Sequence, residues 1–241
     1  MIILHVTDFH FNKRWFDWLP NNAPPHDLLV MSGDLLNLSD ATSQQKQIDW
    51  VSTWINEYPH PMCLCSGNHD LEWDAKAERW TPAYWLRSLA SPKVWTDGQR
   101  VALDGISLLN IGCTTRPKGG KADLWVVHAP PAKTLVATRA SGRDAGDPDL
   151  LGPARRYAPR VVFSGHVHDP IHWCEQTEPT LYLNPGRTPD ALFPNHILLK
   201  TDDLSSELIT VDKWDTSKKF PATARIPIAV TDAPTVSVLA N

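Results

Sequence analysis

Long apolar runs are missing from this sequence, and none approaches the length that a membrane-crossing helix needs. A basic excess is missing as well. With 23 Lys and Arg against 27 Asp and Glu the formal charge is −4, which makes nucleic acid an unexpected partner. The N-terminus, Met1-Ile2-Ile3-Leu4-His5-Val6, lacks the basic opening and small-residue cleavage site of a secretory leader, so it reads as a first strand and the expected location is cytoplasmic. Cysteines are few, four in 241 residues. Cys63 and Cys65 are assigned to opposite faces of a strand, unable to pair, and all four are read as reduced, mostly buried thiols. No internal repeat, low-complexity tract or clear linker divides the chain. It is therefore read as one domain over residues 1–217, followed by a Pro- and Thr-rich tail over 218–241 that wraps the surface or is partly disordered.

What is present is enough apolar residue, 42% of the chain, for one full core, and eleven tryptophans to fill core or line grooves. Apolar runs at 2–6, 27–31, 61–65, 124–127 and 160–164 have the continuous pattern of buried strands. Helical spacing of Ile48, Val51, Ile55 and Tyr58 predicts a helix over 42–58, and a second helical region is expected over 74–91. Residues 11–25 read as a loop or short helix and 132–159 as a loop with a basic cluster. Asp-Gly pairs at 97–98 and 104–105 separate short strands at 93–96, 100–103 and 106–112, a spacing that suggests antiparallel pairing. Gly119-Gly120-Lys121 is not a phosphate loop, because the earlier glycine which that motif demands is Thr115.

The ends of the five buried runs carry the chemistry. They deliver Asp8-Phe9-His10, Gly33-Asp34, Gly67-Asn68-His69-Asp70, His128-Ala129-Pro130-Pro131 and Gly165-His166-Val167-His168. Singly each has an ordinary explanation: Gly-Asp is a turn signal, Asp70 a helix N-cap, and a lone His after a strand a hydrogen-bonded structural residue. Together Asp8, His10, Asp34, Asn68, His128, His166 and His168 supply two carboxylates, one amide and four imidazoles at strand ends, where α/β proteins place their chemistry. Mixed oxygen and nitrogen donors without thiolate suit manganese, iron, zinc or nickel rather than calcium. Seven donors are too many for one tetrahedral ion and enough for two, if one carboxylate bridges.

This ordered set resembles the calcineurin-like metallophosphoesterases, whose five motifs are all present over roughly residues 1–200. The resemblance implies an α/β fold, a four-layer, two-sheet β-sandwich flanked by helices, with the first half parallel and the second antiparallel in appearance. It implies two divalent ions, manganese favoured, one held by Asp8, His10, Asp34 and His168 and the other by Asp34, Asn68, His128 and His166. Hydroxide between the ions would attack phosphorus, with His69 diverging from the metals to stabilise or protonate the leaving group.

One motif departs from the Ser/Thr phosphatase branch: Gly33-Asp34 continues as Leu35-Leu36-Asn37, without a second Asp and an Arg-Gly pair. Asn37 can hydrogen-bond His69 but cannot stabilise its protonated form by charge. The chain looks more similar to the small bacterial-type phosphodiesterases and phosphatases, a similarity to which His128-Ala129-Pro130-Pro131 and Asn184-Pro185-Gly186-Arg187 add. Arg187 and Asn37 are candidate substrate contacts. The expected substrate is a phosphorylated small molecule or nucleotide-like ester, recognised by loops at 11–25, 72–92 and 132–158. Two alternatives are a binding module with a weakened site and a nuclease of the same family; the sequence is silent on oligomeric state.

Overall fold

The computed structural model of the chain describes residues 1–117, 120–210 and 222–226. The first half runs β1 (Ile2–Val6), α1 (Lys13–Asn22), β2 (Leu28–Met31), α2 (Gln44–Glu57), β3 (Met62–Leu64), β4 (Glu72–Asp74), β5 (Arg79–Thr81), α3 (Tyr84–Arg87) and β6 (Val94–Trp95). The second continues with β7 (Arg100–Leu103), β8 (Ile106–Ile111), β9 (Leu124–Val127), α4 (Pro148–Tyr157), β10 (Val161–Phe163) and β11 (Cys174–Thr177). It closes on β12 (Thr180–Leu183), β13 (His196–Lys200), β14 (Ser206–Thr210) and β15 (Ala222–Ile226).

Two sheets form the body, in the orders β15-β14-β13-β1-β2-β3-β6 and β11-β12-β10-β9-β8-β7. Alternation along each strand divides the side chains between two cores. Ile3, Leu28, Val30, Cys63 and Cys65 face inward against Leu124, Val126, Val161, Phe163 and Leu181 of the other sheet. Leu4, Val6, Leu29, Met31 and Leu64 face outward, under Trp15, Phe16 and Leu19 of α1 and Val51, Trp54 and Ile55 of α2. On the far side, Leu109, Ile111, Trp125, Val127 and Val162 lie under Leu150 and Ala154 of α4. This is the expected four-layer sandwich flanked by helices. Each fully buried aliphatic or aromatic side chain contributes about 1.5–3 kcal/mol. The buried indoles also find acceptors: Trp15 Nε1 donates to Ala191 O at 2.9 Å and Trp54 Nε1 to Phe16 O at 3.1 Å.

Several expectations need correcting. Cys63 and Cys65 share the inner face, as residues two apart on a strand must. The second sheet is not antiparallel throughout: β8, β9, β10 and β12 run parallel, and only its edges, β7 and β11, are antiparallel. β6 leaves the hairpin series to pair parallel with β3 in the first sheet. In place of a helix over 74–91 there is a β4–β5 hairpin followed by a four-residue α3. The Asp74 carboxylate accepts the N–H groups of Lys76 and Ala77, turning the chain, and Trp73 packs edge-on across the hairpin against Trp80 with ring centres 5.4 Å apart. The stretch read as a loop over 132–159 contains α4, started by the Asp147 side chain accepting from Asp149 N at 2.8 Å with Pro148 in the first turn. Within the expected tail, Ala222–Ile226 pairs antiparallel with β14, and the rest of 218–241 lies outside the described residues.

Candidate metal centre

β1, β2 and β3 of one sheet and β9, β10 and β12 of the other end at a common rim. Asp8 and His10 leave β1, Asp34 leaves β2, Asn68 leaves β3, His128 leaves β9, and His166 and His168 leave β10. The chain cannot stay extended here. Asp8, His10, Phe11, Asp34 and His166 have φ of 54°, 44°, 57°, 54° and 65°, a left-handed conformation that costs a non-glycine residue about 1–3 kcal/mol. Backbone bonds hold the strained turns together: Asp8 N donates to Gly33 O at 3.1 Å, and His10 N to Asp34 O at 2.9 Å. Two glycines allow the turns to touch. A Cβ on Gly67 would lie 2.1 Å from Asp34 Oδ1, and one on Gly165 would lie 1.8 Å from Thr7 Oγ1.

All seven expected ligand side chains come together. Asp34 lies in the middle, its Oδ2 3.7 Å from His10 Nε2 and its Oδ1 3.3 Å from His128 Nε2. On one side, His10 Nε2 is 3.1 Å from His168 Nε2, and Asp8 Oδ1 is 3.4 Å from His168 Nε2. On the other, Asn68 Oδ1 is 3.0 Å from His128 Nε2 and 3.1 Å from His166 Nδ1. Asp8 ties the sheets to each other, its Oδ2 accepting from His166 N at 2.9 Å. Ligand atoms of Asp8, His10 and His168 lie within 4.8 Å of one another, as do those of His10, Asp34 and His69 and those of Asp8, Asp34 and His128.

The electrostatics of the cluster suit cations. Burial pushes His10 and His166 down to about 4, so both are neutral donors at pH 7. Burial alone would lower His128, yet the adjacent Asp34 carboxylate lifts it to about 10, a proton that a cation would displace. Burial alone would raise Asp8 and Asp34, but the hydrogen bond from His168 and the charge of His128 hold Asp8 below its ordinary value, and the charge and hydrogen bond of His128 do the same for Asp34. His128 Nδ1 lies 2.8 Å from Ser32 O; donating there, it leaves Nε2 free to coordinate. Two imidazole nitrogens at hydrogen-bonding distance beside two buried carboxylates form a donor-rich array, and its nitrogen and oxygen atoms fit divalent transition metals.

His69 does not swing clear of this cluster. Its ring packs edge-on against His10 with centres 4.6 Å apart, and its Nδ1 accepts from Leu38 N at 3.3 Å. That bond puts the proton of neutral His69 on Nε2. The expected Asn37 contact with His69 is not made: Asn37 Oδ1 accepts instead from Ser39 N at 3.0 Å, closing a tight turn. Arg187 is half-buried, its guanidinium over the Trp15 ring at 5.5 Å and within electrostatic reach of Asp8 and Asp34. Its backbone N donates to His168 O at 2.8 Å, and its Nε has no hydrogen-bond partner among the described residues.

Three scaffold residues escaped sequence reasoning. Asp70, fully buried, accepts from Leu36 N at 2.9 Å and Gly67 N at 2.8 Å, clamping the Asp34 and Asn68 turns together. Asp97 accepts from the backbone N and hydroxyl of Ser66 at 2.8 and 2.6 Å, just ahead of Asn68. Asn184 donates to Val136 O, Gly165 O and Val167 O at 3.2, 3.1 and 3.0 Å, which fixes the loop bearing His166 and His168. Asp70 and Asn184 stood inside motifs already singled out, but their buried partners become visible only in the fold.

The family model described as calcineurin-like phosphoesterase matches residues 1–170. Among solved structures, GAP50, the anchor in the inner membrane complex of Plasmodium, is 10% identical with a TM-score of 0.53, over 95% of this chain and 89% of that one. A novel archaeal phosphodiesterase is 15% identical with a TM-score of 0.49, over 88% of this chain and 100% of its own. Yfce, a phosphoesterase from E. coli, is 17% identical with a TM-score of 0.43, over 94% and 100%. At these identities the likeness to GAP50 is one of fold. No curated protein matches the chain. No helix among the described residues is long and apolar enough to cross a membrane.

Proposed function

The chain belongs to the calcineurin-like phosphoesterase family, and from that premise and its ligand cluster we propose that it is a dinuclear metal-dependent hydrolase of phosphate esters. Asp8, His10, Asp34 and His168 would hold one divalent cation and Asp34, Asn68, His128 and His166 the other, with manganese favoured over iron, zinc or nickel. Bound there, the pair would supply a water nucleophile near neutral pH and offset phosphate charge. The substrate is a small phosphorylated molecule, a phosphodiester or phosphomonoester.

His69 works from the side of His10. With Nδ1 accepting the Leu38 N–H, its Nε2–H donates to the leaving oxygen as charge develops there, a role for a neutral imidazole. A second ring proton would have to displace the Leu38 N–H. This geometry therefore favours stabilisation of the leaving oxygen over its full protonation, and good leaving groups over poor ones. Arg187, its half-buried guanidinium over Trp15 and within electrostatic reach of Asp8 and Asp34, would bind a phosphate oxygen.

Asp34 carries the reading, because its two oxygens face separate donor sets, at 3.7 Å and 3.3 Å. The test is Asp34→Asn, followed by metal analysis and by hydrolysis of bis-p-nitrophenyl phosphate and p-nitrophenyl phosphate with added Mn²⁺. Turnover is expected to fall by about 10³-fold, with metal content dropping from about two ions per chain. Wild-type turnover and metal content in the variant would refute the bridging role. The presence of every donor together with His69 supports chemistry over a purely binding role.

A further inference from the structure

Beside Asn68, His128 and His166 lies a cavity of about 290 Å³. Its other walls are largely apolar, with Ile111 at the end of β8, Val127 at the end of β9 and Leu150 on α4, and Cys113 and Ala145 also line it. It has one carboxylate, Asp147, already engaged by Asp149 N at 2.8 Å and by the Arg116 guanidinium at 3.6 Å. His10, His69 and His168 take no part in its lining. The cavity thus belongs to one half of the ligand cluster, and the leaving-group histidine to the other.

We infer that this cavity receives the retained ester substituent of a phosphodiester, an inference that rests on the phosphoesterase reading. Phosphorus would sit between the halves, the departing oxygen toward His69 and the retained group among Ile111, Val127 and Leu150. Water adds to phosphorus, the bond from phosphorus to the departing oxygen breaks, and that oxygen takes a proton originating from the water. The products are an alcohol and a phosphomonoester whose substituent remains in the cavity. A phosphomonoester substrate has nothing to place there. The apolar walls, with an Asp147 carboxylate that shares Arg116 with Asp149 and so keeps negative charge at the rim, disfavour an anionic substituent and select a compact uncharged group of aryl or nucleoside size.

The test has two arms, both with Mn²⁺ present. In the first, thiol modification of Cys113 by dithiodipyridine is followed by peptide mass mapping, with diphenylphosphinate as a non-hydrolysable diester analogue or phenylphosphonate as a monoester analogue. Diphenylphosphinate at saturation is expected to slow modification at least about fivefold and phenylphosphonate to leave it unprotected. In the second arm, Ala145→Trp and Cys113→Phe fill the cavity from opposite walls. The ratio of kcat/KM for bis-p-nitrophenyl phosphate over p-nitrophenyl phosphate is expected to fall about tenfold in each, a ratio insensitive to the folded fraction. Equal protection by both anions, or an unchanged ratio in both variants, overturns the inference. If the wild-type protein hydrolyses neither ester, the phosphoesterase reading fails instead, and the protection arm alone decides what the cavity holds.

Discussion

The two halves of the ligand cluster are built differently. Around His128 everything is pinned: the side chain is 1% exposed, Nδ1 lies against Ser32 O, Nε2 lies against Asn68 and Asp34, and the backbone carbonyl takes the Gly165 N–H at 2.8 Å. Around His168 the structure is open, with the side chain 38% exposed, the His10 ring edge-on beside it and the His69 ring edge-on against His10 in turn. The His128 half behaves as framework joining the two sheets and at the same time forms one wall of the cavity of about 290 Å³. The open half holds His69, the histidine proposed to attend the leaving oxygen. Backbone strain is common to both halves: left-handed residues lie at Asp8, His10 and Phe11 and also at Asp34 and His166, with backbone bonds such as Asp8 N to Gly33 O and His10 N to Asp34 O tying the β1 and β2 turns to each other.

The largest expected effect tests the open half as the working edge. His69→Ala should lower kcat for an aryl phosphodiester about a thousandfold while metal content holds, and His69→Asn, which keeps an N–H donor, should recover part of the loss. A wild-type kcat in the alanine variant would break the comparison. The next effect separates acid loss in the body of the fold from acid loss at the metal centre. His196, packed between Trp18 and Phe193, has a pKa pushed down by burial to about 4. The unfolded chain therefore takes up this proton first as pH falls. The stabilisation is complete above about 6.5 and is lost progressively down to about 4, a total of about 3 kcal/mol. Denaturant unfolding of metal-free protein at pH 7.5 and 4.5 should show a smaller drop for His196→Phe than for wild type; equal drops would assign acid sensitivity to other groups. The smallest effect ranks the halves directly. In metal-free protein His128→Ala should cost about 2 kcal/mol, because Asp34 loses its nearest positive charge and Ser32 O its donor, whereas His168→Ala, which leaves Asp8 its bond from His166 N, should cost about 1 kcal/mol. Thermal melts in the reverse order would overturn the assignment of framework and working edge.

The convergence of the candidate ligands was legible in the sequence because each follows a short apolar run, and a strand that ends on a rim shows its terminal residue in its own local pattern. The pairing of those strands was not. Whether Val94–Trp95 joins β7 or crosses to β3 depends on a partner some thirty residues away in sequence, and Asp-Gly turn signals speak only of neighbours. The 74–91 stretch misled for the opposite reason. Its aromatic spacing fits a helix, but Asp74 captures two backbone N–H groups and Trp73 meets Trp80 across a hairpin. Asp70, Asp97 and Asn184 were opaque because a buried polar side chain has no periodicity; its role is written in the partners it satisfies.

Asn184 has a consequence for how the protein is made. The loop that offers His166 and His168 takes its shape from an amide 16 residues further on, at the end of β12, where it holds three carbonyls at 3.0–3.2 Å. A nascent chain still short of that residue has every histidine of the cluster but lacks the amide that shapes the loop carrying two of them. In the proposed metal centre, the positions that use His166 and His168 would therefore be completed only once β12 and Asn184 are in place.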